Sequence, residues 1–202
     1  MCGIPKMEKV AISLPRAKAL LDDCSRNGVL FVSFTGGEPL MHPDIGEILI
    51  YAKAKGMFVH VASNGTMPEK IRPLRGKVDL IGFSLDSHDS EEHDRNRGRR
   101  GCSQEVIGSV RISHALGMRP FVNTPPNQMI IGHIEEYVRY VNEELGCPVG
   151  FCYPMVDNGG YYDKGSNVVS SLRSSEIVRF YAKAIELKGN HTKIMNTDDF
   201  LR

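Results

Sequence analysis

The segment Phe-Thr-Gly-Gly-Glu-Pro-Leu at positions 34–40 decides the fold, because two glycines and a carboxylate follow directly on an apolar run. Residues 29–34, Val-Leu-Phe-Val-Ser-Phe, are rich in β-branched and aromatic side chains, which is typical of a buried strand. Residues 42–44, His-Pro-Asp, then open a predicted helix with apolar side chains at helical spacing. The glycines are therefore predicted at the carboxyl end of a strand, where α/β proteins place their ligands.

Each residue of this loop suits ligand binding. Gly36 and Gly37 have no Cβ atom, so backbone groups there can approach a ligand closely. Glu38 supplies a fixed negative charge that would attract an ammonium group, and Pro39 stiffens the exit from the turn. For an isolated Gly-Gly-Glu sequence the alternative is a simple turn with a solvated carboxylate.

Strands and amphipathic helices alternate along the chain. Strands are predicted near residues 29–34, 57–62, 78–85, 119–124 and 149–153. Helices are predicted over residues 15–24, 44–55, 102–116, 132–145 and 174–187. This repeat indicates an α/β fold with a parallel sheet and right-handed crossovers. Residues 157–171, rich in Gly, Ser and Asn, are predicted to form a loop.

Composition indicates a single globular domain and excludes several classes of protein. The 202 residues are 41% hydrophobic and 24% charged, which is ordinary for a folded domain. A net charge of +1 gives no reason to expect nucleic acid or a membrane as a partner. No apolar run approaches the ~20 residues that a membrane span needs. Five scattered cysteines argue against a disulfide framework and favour a cytoplasmic location.

Four motifs in this sequence resemble those of one enzyme family, the radical S-adenosylmethionine (radical SAM) enzymes. They are the Gly-Gly-Glu-Pro segment 36–39, the third-strand end 59–66, the fourth-strand end 81–86 and the segment 93–98 before the next helix. The resemblance extends from Cys2 to about Pro154. It implies a partial (β/α)6 barrel, an open relative of the TIM barrel, with residues 157–171 over its mouth.

The resemblance also implies a 4Fe–4S cluster and S-adenosylmethionine as cofactors. Family members hold the cluster on three cysteines spaced C-x3-C-x2-C, and Cys2 is similar to the last of these. The remaining cysteines cannot restore that spacing; they are Cys24, Cys102, Cys147 and Cys152. The chain is therefore expected to be a core-domain fragment, residues 1–202, whose amino end and first strand are missing. Its barrel units are expected to reach about residue 187, followed by the start of a C-terminal extension.

The resemblance assigns cofactor-binding roles along the strand ends. Segment 36–39 would meet the methionine ammonium, and Asn64 and Ser84 would bind the ribose or the carboxylate. Asp86 would orient a strand end, Arg97 would pair with a carboxylate, and Asn123 would face the adenine or ribose. Alternatives from the residues themselves are a turn at Asn64, strand capping at Ser84 and Asp86, and a solvated charge at Arg97.

Two pairs of residues that could bind a metal, one of histidines and one of cysteines, are not interpreted as metal ligands. His88 and His93 are expected to be solvated surface histidines in a polar loop, since a third ligand at metal spacing is missing. Cys147 and Cys152 flank an apolar segment and are expected to be buried core thiols.

The resemblance predicts an enzyme that cleaves S-adenosylmethionine reductively to a 5′-deoxyadenosyl radical, with an electron donor such as a flavodoxin or ferredoxin. The substrate, a peptide or a small molecule, is not identified by the sequence. One alternative is a degenerate barrel that serves as a binding or scaffold module. An ordinary barrel enzyme for a phosphate-bearing substrate is a poorer alternative, because no glycine-rich phosphate loop is evident.

Overall fold

The predicted strands form one parallel sheet, in a computed structural model that describes residues 11–153, 172–190 and 192–201. The strands are β1 Phe31–Phe34, β2 Phe58–Ser63, β3 Leu80–Ser84, β4 Pro120–Thr124 and β5 Val149–Phe151. Their order in the sheet follows their order in the chain, and every neighbouring pair is parallel. The predicted α/β class is thereby confirmed.

Crossover connections join successive strands, as parallel pairing requires. The helices are α1 Leu14–Arg26, α2 Ile45–Ala54, α3 Ser90–Arg97, α4 Cys102–Ala115, α5 Ile134–Arg139, α6 Ser174–Gly189 and α7 Asp198–Leu201. Of these, α2 lies between β1 and β2, α3 and α4 lie between β3 and β4, and α5 lies between β4 and β5, whereas 3-10 turns lie between β2 and β3. A π-helical segment, Tyr140–Glu144, continues α5. Short 3-10 turns lie at Pro39–Met41, Pro68–Lys70 and Arg72–Leu74. Among the described residues, no helix combines the length and apolar character needed to cross a membrane.

The two faces of the sheet differ in character, because successive side chains of a strand point to opposite sides. The outer face packs against the helices and contributes to the main core Val59, Val61, Ile81, Phe83 and Val122. The inner face carries His60, Ala62, Gly82, Ser84, Phe121 and Asn123, aligned by the strand register. Apart from Phe121, this inner face therefore carries polar and small residues, and its carboxyl end is where α/β barrels place their ligands.

The two edges of the sheet are unlike one another. Beyond β5, Val149 pairs in parallel with Ile194, through hydrogen bonds from Val149 N to Lys193 O (2.9 Å) and from Met195 N to Val149 O (2.8 Å). At the other edge, β1 pairs with β2 alone among the described residues. An extended segment thus continues the sheet after β5, whereas β1 is an edge strand in the described part of the chain.

One element differs from the sequence-based expectation. Residues expected to be a polar loop around His93 form the helix α3. This helix has no apolar stripe, and its ends are set instead by capping. The Asp89 carboxylate accepts hydrogen bonds from the backbone of Glu91 and Glu92, and Gly98 ends the helix at φ 68°. Residues 157–171, the predicted loop, lie outside the described residues.

Candidate functional site

The strand ends bring most of the predicted ligand-binding residues to one edge of the sheet. Residues 35–38 follow β1, Asn64 follows β2, Ser84 ends β3 and Asn123 lies near the end of β4. Ser84 and Asn123 are register partners, so their side chains are neighbours on the inner face. Because all five strands are parallel, these positions share the carboxyl edge of the sheet.

The loop after β1 exposes its backbone at this edge. Thr35, Gly36 and Gly37 are exposed, whereas Pro39 and Leu40 are buried in the turn that follows. Gly36 has φ 127°, a conformation that residues with a side chain rarely adopt. Within residues 11–153, 172–190 and 192–201, no atom lies within 4 Å of where a Cβ of Gly36 would be. The glycine therefore serves the backbone conformation of the loop rather than a close contact with the described part of the chain.

Glu38 ties this loop to the end of the neighbouring strand. Its Oε1 accepts hydrogen bonds from Leu40 N (3.1 Å) and Ser63 Oγ (2.9 Å). Its Oε2 accepts one from Asn64 N (2.7 Å). Both carboxylate oxygens are thus used within the chain, and Ser63, which is buried, was not identified from the sequence. Contact of Glu38 with a ligand ammonium stays a prediction.

Asn64 and Ser84 differ in whether their side chains form hydrogen bonds within the described part of the chain. The Asn64 Oδ1 accepts hydrogen bonds from Thr66 N (2.9 Å) and Thr66 Oγ1 (2.7 Å), which closes a turn. Among the described residues, the Ser84 hydroxyl has no hydrogen-bond partner, and this residue is only half-buried. Ser84 therefore has a hydroxyl free for a ligand, while the Asn64 carbonyl oxygen is already used.

A buried carboxylate lies just beyond β3. Asp86 is 4% exposed and forms a two-point ion pair with Arg97. In it, Arg97 Nη2 lies 2.7 Å from Asp86 Oδ1, and Arg97 Nε lies 2.6 Å from Asp86 Oδ2. Asn96 Nδ2 adds a hydrogen bond to Oδ2 (2.7 Å). The backbone carbonyl of Asp86 accepts a hydrogen bond from Asn127 Nδ2 (2.9 Å). Arg97, expected to meet a ligand carboxylate, thus meets a carboxylate of its own chain, and a ligand contact of Arg97 stays a prediction.

The expectation that His93 is a solvated surface histidine is wrong. His93 is 1% exposed, and its Nδ1 accepts a hydrogen bond from Asp86 N (3.0 Å). Burial lowers the pKa of His93, against an opposing effect of the Asp86 charge. His88 is half-buried, with its Nδ1 enclosed and unpartnered among the described residues. Polar neighbours in α3 concealed the burial of His93, because it is the one buried residue of this helix.

Two of the cysteines, Cys147 and Cys152, lie at the two ends of β5 and differ in burial. Cys147 is fully buried, and burial raises the pKa of its thiol to about 12. Cys152 is half-buried, and burial also raises its pKa. In the parts of the chain that the structure describes, no group of three or more His, Cys, Asp or Glu residues is placed to hold a metal ion. Cys2, the predicted cluster ligand, lies outside those parts.

Comparison with known proteins gives a family match over most of the chain. The model of the Radical SAM superfamily matches residues 1–142. The antilisterial bacteriocin subtilosin biosynthesis protein AlbA of Bacillus subtilis (strain 168) is 31% identical over 173 residues, which are 82% of this chain and 37% of that protein. An AdoMet-dependent heme synthase of Nitratidesulfovibrio vulgaris is 24% identical over 90% of this chain and 50% of its own length.

Solved structures show the same fold. Streptococcus suis SuiB bound to S-adenosylmethionine superimposes with a TM-score of 0.77 at 17% identity, over 96% of this chain and 46% of that one. Native anSMEcpe with bound AdoMet and the Cp18Cys peptide gives a TM-score of 0.74 at 16% identity, over 96% of this chain and 59% of that one. The chain thus spans half or less of the two curated relatives and about half of these structures.

Proposed function

Since this chain belongs to the Radical SAM superfamily, we propose that the protein is a radical SAM enzyme that reductively cleaves S-adenosylmethionine. The observation that carries the proposal is the carboxyl edge of the sheet, which holds both an exposed glycine loop after β1 and, on β3 and β4, a serine hydroxyl without a partner among the described residues next to an asparagine. When bound, the 4Fe–4S cluster and S-adenosylmethionine would supply a 5′-deoxyadenosyl radical. The barrel would position the cofactor and exclude water.

The residues at this edge fit S-adenosylmethionine chemically. The exposed backbone at Gly36 and Gly37 would accept hydrogen bonds from the methionine ammonium through its carbonyls. Ser84 and Asn123, side by side on the inner face, would bind the ribose or adenine. Glu38 would act by holding the loop against Asn64, and its charge would favour the ammonium. Asp86 and Arg97 would keep the β3 end in place.

The cluster would be held partly by Cys2. We propose that two further cysteines, and a strand alongside β1, belong to a segment upstream of the sequence given. The position of β1 at the end of the strand order supports this placement, because a parallel edge strand leaves backbone hydrogen-bonding groups unpaired. In that case residues 1–202 are part of a larger radical SAM core domain.

A peptide is the substrate class that we favour. SuiB has been solved bound to the precursor peptide SuiA, and anSMEcpe with bound peptides. AlbA takes part in the biosynthesis of a bacteriocin. The heme synthase relatives support a small-molecule substrate as the second candidate. A reduced flavodoxin or ferredoxin would supply the electron.

The proposal is tested by anaerobic reconstitution of the full-length protein, followed by chromatography for 5′-deoxyadenosine after reduction. We expect slow formation of 5′-deoxyadenosine even without substrate. Cys2→Ala should abolish both the cluster absorbance and the product, whereas the control Cys24→Ala, at a half-buried thiol in α1, should retain both. A protein with a full cluster that forms no product would favour the scaffold alternative instead.

A further inference from the structure

The ring of Phe121 lies across the inner face between two glycines. An added Cβ at Gly82, its register partner on β3, would lie 2.6 Å from Phe121 Cζ and 2.8 Å from Cε1. An added Cβ at Gly150 on β5 would lie 3.5 Å from Cε2 and 3.7 Å from Cδ2 of the same ring. One ring edge thus covers β3 and the other faces β5. A side chain at position 82 is incompatible with this arrangement.

The ring occupies the layer of the sheet directly below the candidate ligand-binding side chains. In the register, Gly82 pairs with Phe121, and two residues further on Ser84 pairs with Asn123. Gly150 pairs with Asn123, and its added Cβ would lie 3.3 Å from Asn123 Oδ1. Both glycines therefore leave room for the ring, and Gly150 also leaves room for the asparagine in the next layer.

A third residue supports the ring from β2. The His60 imidazole lies against Phe121 with ring centroids 5.5 Å apart, and its Nδ1 is 2.8 Å from Ser33 Oγ. His60 Nε2 is enclosed, lacks a hydrogen-bond partner among the described residues, and lies 3.3 Å from the Cβ position of Gly82. A Phe121 ring displaced by a side chain at position 82 is therefore hindered on the His60 side. A shift of the ring along the strand towards Ser84 and Asn123, the next register pair on this face, would bring it closer to the candidate ligand-binding side chains.

We propose that Phe121, held flat by Gly82 and Gly150, is the floor of the S-adenosylmethionine site and sets its depth. Gly82 and Gly150 are then positioning residues, since they act on a ligand only through Phe121 and Asn123. This inference rests on the proposed function, because it assigns the ligand above the floor to that cofactor. Its physical basis is that a rigid ring raised by even about 1 Å takes volume from a closely fitting ligand.

The test measures S-adenosylmethionine binding by calorimetry in the full-length, cluster-reconstituted protein. We expect Gly82→Ala to raise the Kd about tenfold or more, and Gly150→Ala, with its longer contacts, about threefold. The control Gly189→Ala, where no atom of a described residue lies within 4 Å of the added Cβ, should stay within about twofold of the wild type. An unchanged Kd for Gly82→Ala would overturn the inference.

A double-mutant cycle separates displacement of the ring from general damage. Leucine lacks the two ring atoms, Cζ and Cε1, with which the Cβ of Gly82→Ala would clash. In a Phe121→Leu background, Gly82→Ala should therefore change the Kd for S-adenosylmethionine little. Crystal structures should show the Phe121 ring raised in Gly82→Ala. If Gly82→Ala does not fold, recovery of folding in Gly82→Ala/Phe121→Leu supports the inference, and a double variant that also fails contradicts it. A wild-type protein that binds no S-adenosylmethionine would instead refute the proposed function.

Discussion

Replacing Glu38 by alanine should loosen the candidate site and destabilise the whole protein. The carboxylate accepts three hydrogen bonds, from Leu40 N, Ser63 Oγ and Asn64 N. A hydrogen bond to a charged group contributes about 1.5–3 kcal/mol, but neighbouring bonds are not additive and water will reach this half-buried position. We therefore expect Glu38→Ala to lower the free energy of unfolding by about 2–4 kcal/mol.

Urea unfolding followed by circular dichroism measures this change, with Glu47→Ala in α2 as the matched control. The Glu47 carboxylate is mostly exposed and has a long ion pair with Lys18 (3.7 Å), so its loss should cost under about 0.5 kcal/mol. Glu38→Gln separates tethering from charge, because glutamine keeps one acceptor oxygen and removes the charge. Equal stability of Glu38→Ala and Glu47→Ala would refute the tethering argument.

Two further predictions concern the region after β3. The Asp94 carboxylate caps α4 by accepting hydrogen bonds from the backbone of Ser103 and Gly101, and these bonds lower the pKa of Asp94 to about 2. Asp94→Ala should therefore lower the free energy of unfolding in urea by about 1–2 kcal/mol. The control Asp23→Ala, at an exposed carboxylate, should change it little. Burial lowers the pKa of His93 below its ordinary 6.5. Just below pH 6.5 this imidazole is therefore protonated in the unfolded chain but still neutral in the folded chain. Stability should thus fall as the pH drops below about 6.5, by up to about 1.4 kcal/mol per pH unit for this group. His93→Asn, whose Oδ1 can replace Nδ1 as acceptor for Asp86 N, should weaken that pH dependence, and an unchanged slope would contradict the assignment.

The sequence predicted the sheet well because the evidence for each strand is local. Apolar runs such as residues 29–34 and the helical spacing of α2 and α4 are visible within a dozen residues. The helix α3 was missed for the same reason, since its local pattern is polar and its one buried side chain is His93. Its position depends on Asp86, seven residues earlier, which no periodicity reveals.

The sequence placed the candidate residues at strand ends but did not predict which side chains they contact. The motifs located Glu38, Asp86 and Arg97, yet the structure pairs them with partners in their own chain. Ser63 lies 25 residues from Glu38, and Arg97 lies 11 residues from Asp86, so these pairs form only once the strand ends meet. Side-chain partners across a sheet edge follow from the register, and a single sequence contains no direct record of the register.

These pairings within the chain separate the residues that hold the strand ends in place from the groups that are left for a ligand. Glu38 joins the ends of β1 and β2, while Asp86, with Arg97 and Asn96, fixes the segment after β3. The groups left for a ligand are then the exposed backbone of residues 35–37 and the inner-face side chains Ser84 and Asn123. Charged residues would thus hold the scaffold, and neutral hydrogen-bonding groups would meet the cofactor. Substitutions of the charged residues should therefore change stability and binding together, whereas Ser84→Ala should change binding alone.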